Sequence, residues 1–180
     1  MITGYTPPPA ELLAAGPHAD LRSELELFGQ FVGSWDMQMR FFDAEGAVIL
    51  DQPGSWSFGW VLDGRCIQDV LIHPYHGSDR PGERGIGTSL RHYDSAIGRW
   101  RVVWLGAVSG NVIVLTGGKV GEEIQLKGPD VDGSQLRWRF TDITRDSFQW
   151  TGFTNAGGGA WWMEQHMAGR RRPSTPRDRS

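Results

Sequence analysis

The sequence predicts an all-β protein: one antiparallel β-barrel of about ten strands, with a short N-terminal helix closing one end. Three observations carry this expectation. The segment Phe31-Val32-Gly33-Ser34-Trp35 reads as a helix-ending glycine followed by a tryptophan, and it leads into the alternating run Asp36-Met37-Gln38-Met39-Arg40-Phe41-Phe42. Short alternating segments then follow one another to residue 168 with no second helical pattern between them, as in a meander. The chain also holds 25 glycines and 9 tryptophans among 180 residues, a composition suited to many turns and to a large aromatic interior.

The elements can be justified in order. Pro7-Pro8-Pro9 and Pro17 oppose regular structure, so residues 1–19 read as an extended arm. A helix is expected from Ala19 to Phe31, with Asp20 as a cap and Leu21, Leu25, Phe28 and Val32 at helical spacing. Gly33 is placed to end it. Trp35, Met37, Met39 and Phe41 then share one strand face, Ala44-Glu45-Gly46 makes a turn, and Trp56, Phe58 and Trp60 alternate with small polar residues and Gly59. Asp63-Gly64 signals a hairpin into a strand from Arg65 to His73. Residues 74–85 form the longest polar loop, a candidate gate over the open end.

The remaining strands are expected at Ile86–Tyr93, Arg99–Gly106, Asn111–Thr116, Lys119–Lys127, Gln135–Asp142, Phe148–Asn155 and Ala160–Ala168. Closure would remove the exposed edges that an open sheet of this size leaves. The organisation is therefore an arm (1–19), a barrel domain with its helix (20–168) and a basic, disordered tail (169–180).

Bulk properties exclude several classes. An apolar fraction of 39% and no run of about 18 apolar residues argue against a membrane span. The start, Met1-Ile2-Thr3-Gly4-Tyr5, lacks the features of a secretory signal, so a cytoplasmic location is expected. A net charge of −3 and a tail whose arginines have no interleaved aromatics argue against nucleic acid as a partner. The single cysteine, Cys66, excludes an internal disulfide and a cysteine-based zinc cluster. His73, His76 and His92 match no zinc spacing, so no metal is expected. Gly85-Ile86-Gly87 is not a phosphate loop, and no Gly-x-Ser-x-Gly turn is present.

Further pieces fall in order along the chain: Leu62-Asp63-Gly64-Arg65 leading into Gln68-Asp69, Tyr93-Asp94 ahead of Trp100 and Trp104, and Asp146-Ser147-Phe148-Gln149-Trp150 before Ala156-Gly157-Gly158-Gly159 and Trp162. With Phe31-Val32-Gly33-Ser34-Trp35 they cover about three quarters of the chain. This ordered set resembles the calycin-type, lipocalin-like barrels of the bacterial domain-of-unknown-function 1579 group. The resemblance implies a barrel with an internal cavity and no assigned mechanism. A partial similarity reaches the haem-binding nitrobindins, whose opening motif is Gly-x-Trp-x-Gly-x-Gly and whose last strand supplies a histidine to iron. Gly33 and Trp35 match, Met37 and Met39 replace the next two glycines, and His166 stands on the last strand.

The function expected from these readings is the binding of a small hydrophobic or aromatic molecule, with the chain alone or as a homodimer. Trp35, Trp56, Trp60, Trp100, Trp104, Trp150 and Trp162 offer stacking area, and Arg139 is a polar candidate. The first alternative is an acid–base enzyme (an isomerase, cyclase or hydratase). Period two puts Trp162, Glu164 and His166 on one face of the last strand, against Trp161, Met163, Gln165 and Met167 on the other. If the first face is internal, a carboxylate and an imidazole enter the cavity; if the second is, the methionines pack inside. Asp69 shares its face with Ile67 and Leu71, where a buried acid would become a base unless an arginine paired it. Leu136, Trp138 and Phe140 are expected inside, which leaves Arg137 and Arg139 in solvent; the reverse facing would pair a buried arginine with Glu164 or Asp69. The second alternative, implied by the nitrobindin similarity, is haem with His166 as axial ligand. One bulge would reverse every facing after it.

Overall fold

In the computed structural model, described for residues 12–74, 84–157 and 159–173, ten antiparallel strands close into a barrel in the order β1-β10-β9-β8-β7-β6-β5-β4-β3-β2. They are β1 Gly33–Phe42, β2 Val48–Val61, β3 Cys66–Pro74, β4 Arg84–Asp94, β5 Arg99–Gly106, β6 Val112–Val120, β7 Glu123–Pro129, β8 Gln135–Thr141, β9 Ser147–Asn155 and β10 Trp162–Arg171. Each strand pairs with its sequence neighbours, and β1 closes the ring by pairing with both β2 and β10: Trp35 stands opposite Trp56 on one side and Arg171 on the other.

One face of each strand builds the interior. Trp35, Met37 and Met39 on β1, Trp56 and Phe58 on β2, and Leu136, Trp138 and Phe140 on β8 are buried as their alternation requires. The helix α1, Arg22–Gly29, is preceded by a 3-10 turn at Ala19–Leu21 and plugs one end. Its Leu25 and Phe28 are fully buried. Phe28 meets Trp100 edge-on at 4.7 Å and Phe140 at 5.8 Å, and Phe31 meets Phe140 at 5.1 Å and Phe148 at 5.0 Å. These aromatic contacts make the closed end solid.

The Asp63-Gly64 hairpin forms between β2 and β3, with Leu62, Asp63 and Gly64 all at positive φ. A Cβ on Gly64 would lie 2.2 Å from the Gly16 carbonyl oxygen, so only glycine lets the N-terminal arm cross the turn. The arm is tied there by His18 N–H to Gly64 O (3.0 Å) and higher up by Ala14 N–H to Trp60 O (3.0 Å). Residues 1–11 of the expected arm, the body of the expected gating loop (75–83, with His76), Gly158 and residues 174–180 lie outside the described residues.

Two expectations are corrected. The turn between β6 and β7 falls at Gly121-Glu122, not before Lys119, because Gly117 and Gly118 continue β6 in register with Leu126 and Gln125. The last strand runs on through Gly169, Arg170 and Arg171, residues that the sequence places in the tail. They pair with Met37, Asp36 and Trp35 of β1.

No helix is long and apolar enough to cross a membrane, among the described residues. Outside the barrel, Leu90, Val103, Leu105, Val112 and Val114 are exposed, and Leu90, Val103 and Val114 stand side by side across β4, β5 and β6.

Candidate functional site

Above the aromatic plug, the inner face of the barrel encloses a cavity of about 480 Å³. Its wall is built from alternate residues of successive strands: Trp56 from β2, Leu71 and His73 from β3, Ser89 from β4, Trp104 from β5, Ile113 from β6, Leu136 and Trp138 from β8, Trp150 from β9 and Met167 from β10. The rings touch in sequence: Trp104 with Trp138 at 6.4 Å, Trp138 with Trp150 at 5.5 Å and Trp150 with Trp56 at 6.4 Å, all edge-to-face. Phe41, Phe42, Ile49, Ser109, Asn111, Asp130, Trp162, Glu164 and Gln165 complete the lining.

The expected aromatic set divides in two. Trp56, Trp104, Trp150 and Trp162 line the cavity. Trp35, Trp60 and Trp100 do not; they belong to the closed end. Trp35 donates its indole N–H to Phe31 O at 2.7 Å, Trp60 lies across Gly29 of the helix, and Trp100 packs on Phe28. Trp138 is a wall residue that was read only as core.

On β8 the expected facing holds: Leu136, Trp138 and Phe140 take the inner face, so Arg139 points outward, off the cavity wall where it was a polar candidate, and forms a two-pronged ion pair with Glu123. Arg137, on the same outer face, stacks 4.1 Å from the Trp161 ring.

A bulge decides the last strand. The β9–β10 register shifts between Met163 and Gln165. Glu164 sits in that shift, so Trp162 and Glu164 line the cavity together with Gln165 and Met167. Past the bulge, Met167 is buried between Met39 and Trp150, and His166 stands between Arg40 and Thr151 on the outer face. The expectation that Glu164 and His166 share a face is therefore overturned by one inserted residue. His166 offers no axial nitrogen to the cavity. Burial, with the charge of Arg40 behind it, lowers its pKa.

Glu164 carries the opposite shift. Burial pushes its pKa up, and the carboxylates of Asp130 and Asp132 push it the same way. Its surroundings at the cavity wall hold the proton more tightly than water does.

Asp69 is buried, as its neighbours Ile67 and Leu71 imply, and is paired. Its carboxylate meets the guanidinium of Arg91 and accepts from the Ser89 backbone N–H at 3.1 Å. Arg91 is fully buried, with its guanidinium carbon 5.2 Å from the Phe28 ring, 5.3 Å from Phe58 and 5.9 Å from Trp56. Burial pushes its pKa down to about 9, which still leaves a cation at neutral pH, facing the Asp69 carboxylate. Nothing in Ser89-Leu90-Arg91-His92 marks Arg91 as an internal arginine.

The three acid–base candidates are thus not brought together. Glu164 faces the cavity, Asp69 is held by Arg91 and does not line it, and His166 faces outward. Among the described residues, no group of three or more His, Cys, Asp or Glu side chains is arranged to hold a metal ion. Cys66 is buried and its thiol pKa is raised by burial, which opposes nucleophilic use.

No family model matches the chain, and no curated protein matches it. Solved structures do. The S-type phycobiliprotein lyase CPES from Guillardia theta superposes with a TM-score of 0.58 at 13% identity, covering 83% of this chain and 93% of that one. Rv2717c from M. tuberculosis superposes with a TM-score of 0.60 at 13% identity, covering 87% of this chain and 99% of that one. Identity this low shows the fold alone, a closed antiparallel β-barrel.

Proposed function

We propose that this protein is a small-molecule binding barrel whose ligand is apolar and planar. The observation that carries the reading is the 480 Å³ cavity walled by Trp56, Trp104, Trp138, Trp150 and Trp162. Pockets for small ligands run from about 300 to 1,000 Å³ and combine apolar walls with few polar groups, and indole faces and edges favour flat partners. The fold shared with a phycobiliprotein lyase supports the reading. An acid–base enzyme on this site would have to work with Glu164 alone of the three candidates.

The test is a native mass spectrum of the purified protein beside the same sample denatured. An added mass that disappears on denaturation supports the reading and identifies the ligand class. A bare chain in both spectra, with no uptake of planar aromatic compounds added in excess, contradicts it. Hemin belongs in that set. A Soret band abolished by His166→Ala would restore the axial role that the outward facing of His166 speaks against.

The relation to the domain-of-unknown-function 1579 group and to nitrobindins, the cytoplasmic location and the homodimer belong to the same proposal. The exposed row Leu90, Val103 and Val114 is the surface that supports a dimer, and sedimentation velocity tests it.

A further inference from the structure

Three residues of the cavity wall carry buried polar hydrogens with no acceptor among the described residues. Ser89, Trp56 and Trp150 line the cavity and are 0%, 3% and 4% exposed. Ser89 Oγ, Trp56 Nε1 and Trp150 Nε1 are buried and have no hydrogen-bond partner among the described residues. Buried donors are almost always satisfied, because leaving one unpaired forfeits its solvation for nothing. The same core shows the ordinary outcome one layer below: Trp35, outside the cavity, donates its indole N–H to Phe31 O at 2.7 Å. These three unpaired donors belong to residues of the cavity wall, whereas the unpaired Nε and Nη2 of Arg91 and Nε of Arg137 belong to residues off it.

Charged groups also stand at and behind the cavity wall. Beneath Trp56 lies the Arg91 guanidinium, whose Nε and Nη2 have no hydrogen-bond acceptor among the described residues. Farther along the wall stand the carboxyls of Glu164 and Asp130. The wall therefore carries donors at Ser89, Trp56 and Trp150 and carboxyls at Glu164 and Asp130.

Resting on the binding reading above, we propose that the ligand carries a hydrogen-bond acceptor oxygen, carbonyl or carboxylate, at its leading end, and that Ser89 Oγ and the indole N–H groups of Trp56 and Trp150 form the subsite that receives it. The aromatic wall supplies contact area, and the three donors set the direction of entry.

The experiment is a fluorescence titration of the full chain with three probes of one scaffold: 1-pyrenebutyric acid, its methyl ester and 1-butylpyrene. Wild type is compared with Ser89→Ala, which removes one hydroxyl, and with Trp150→Phe, which removes the N–H but keeps an aromatic ring. Thermal melts check that each variant is folded. The expected result is an affinity loss of about tenfold for the acid in both variants, with 1-butylpyrene changed less than twofold in Ser89→Ala. A parallel loss for the ester assigns a carbonyl acceptor; a loss for the acid alone assigns a carboxylate. Equal effects on all three probes, or none on any, overturn the subsite while leaving the binding barrel standing. Failure of all three to bind wild type overturns the binding reading, and the subsite with it.

Discussion

The guanidinium of Arg171 lies 4.1 Å from the ring centre of Trp35 while donating to three backbone carbonyls: Val32 at 2.8 Å, Gln30 at 2.6 Å and Arg145 at 2.7 Å. The contact joins the last strand to the segment that follows the helix. It also explains Gly33: φ is +125°, and a Cβ there would lie 2.9 Å from Arg171 Nη1. The plug is thus fastened by a residue 138 positions downstream of that glycine.

Arg171→Ala should therefore destabilise the fold by about 2–4 kcal/mol, since three hydrogen bonds from a charged donor and one cation–π contact are lost together. Urea unfolding would measure it. Arg171→Lys should recover only part of the loss, because an ammonium cannot present the planar fork. A change below about 0.5 kcal/mol for the alanine variant would show that the clasp holds nothing.

The Asp69–Arg91 pair should behave as a unit. Asp69→Asn leaves a buried guanidinium without its counter-charge, and a loss of about 3–5 kcal/mol is expected. The double variant Asp69→Leu, Arg91→Met removes both charges and should be more stable than Asp69→Asn alone. Chemical denaturation of the three proteins checks this; a double variant as unstable as the single one would contradict it.

Glu164 should make stability depend on pH in a definite sense. Its pKa is raised in the folded state by burial first and by Asp130 and Asp132 next. Folding therefore costs nothing through this group below its unfolded pKa of about 4.3, and the cost grows as pH rises from there through the folded pKa. Glu164→Gln removes that cost. Its melting temperature relative to wild type should rise as pH increases above about 4.5, then level off. A difference that is flat with pH would refute the raised carboxyl.

Most of the barrel was legible in the sequence because alternation is a local signal. Trp35, Met37, Met39 and Phe41 share a face in any strand, and Leu136, Trp138 and Phe140 outweigh the arginines between them. Asp63-Gly64 named its turn for a similar reason, since few residues tolerate its dihedrals. The site was legible only in part. Which tryptophans plug the end and which line the wall depends on how far up the barrel each strand carries them. Trp35 and Trp56 are paired neighbours across β1 and β2, yet one is plug and the other wall. The facing of His166 turned on the bulge at Glu164, a single residue with no turn signal. Arg91 escaped notice because a buried arginine is legible only through its partner, and Asp69 lies 22 positions away. Arg171 looked like one of several arginines in a tail until its pairing with Trp35 placed it.

The central claim is that the aromatic cavity is a binding site, and the direct measurement is saturable binding that depends on cavity space. The neutral planar dye N-phenyl-1-naphthylamine should bind wild type with one-to-one stoichiometry and a rise in fluorescence. Ile113→Trp, which fills the cavity from its wall, should abolish that signal while the protein stays folded by circular dichroism. Saturable binding lost on filling is the predicted result. Absence of saturable binding to wild type, or binding unchanged in a folded Ile113→Trp variant, would contradict the account.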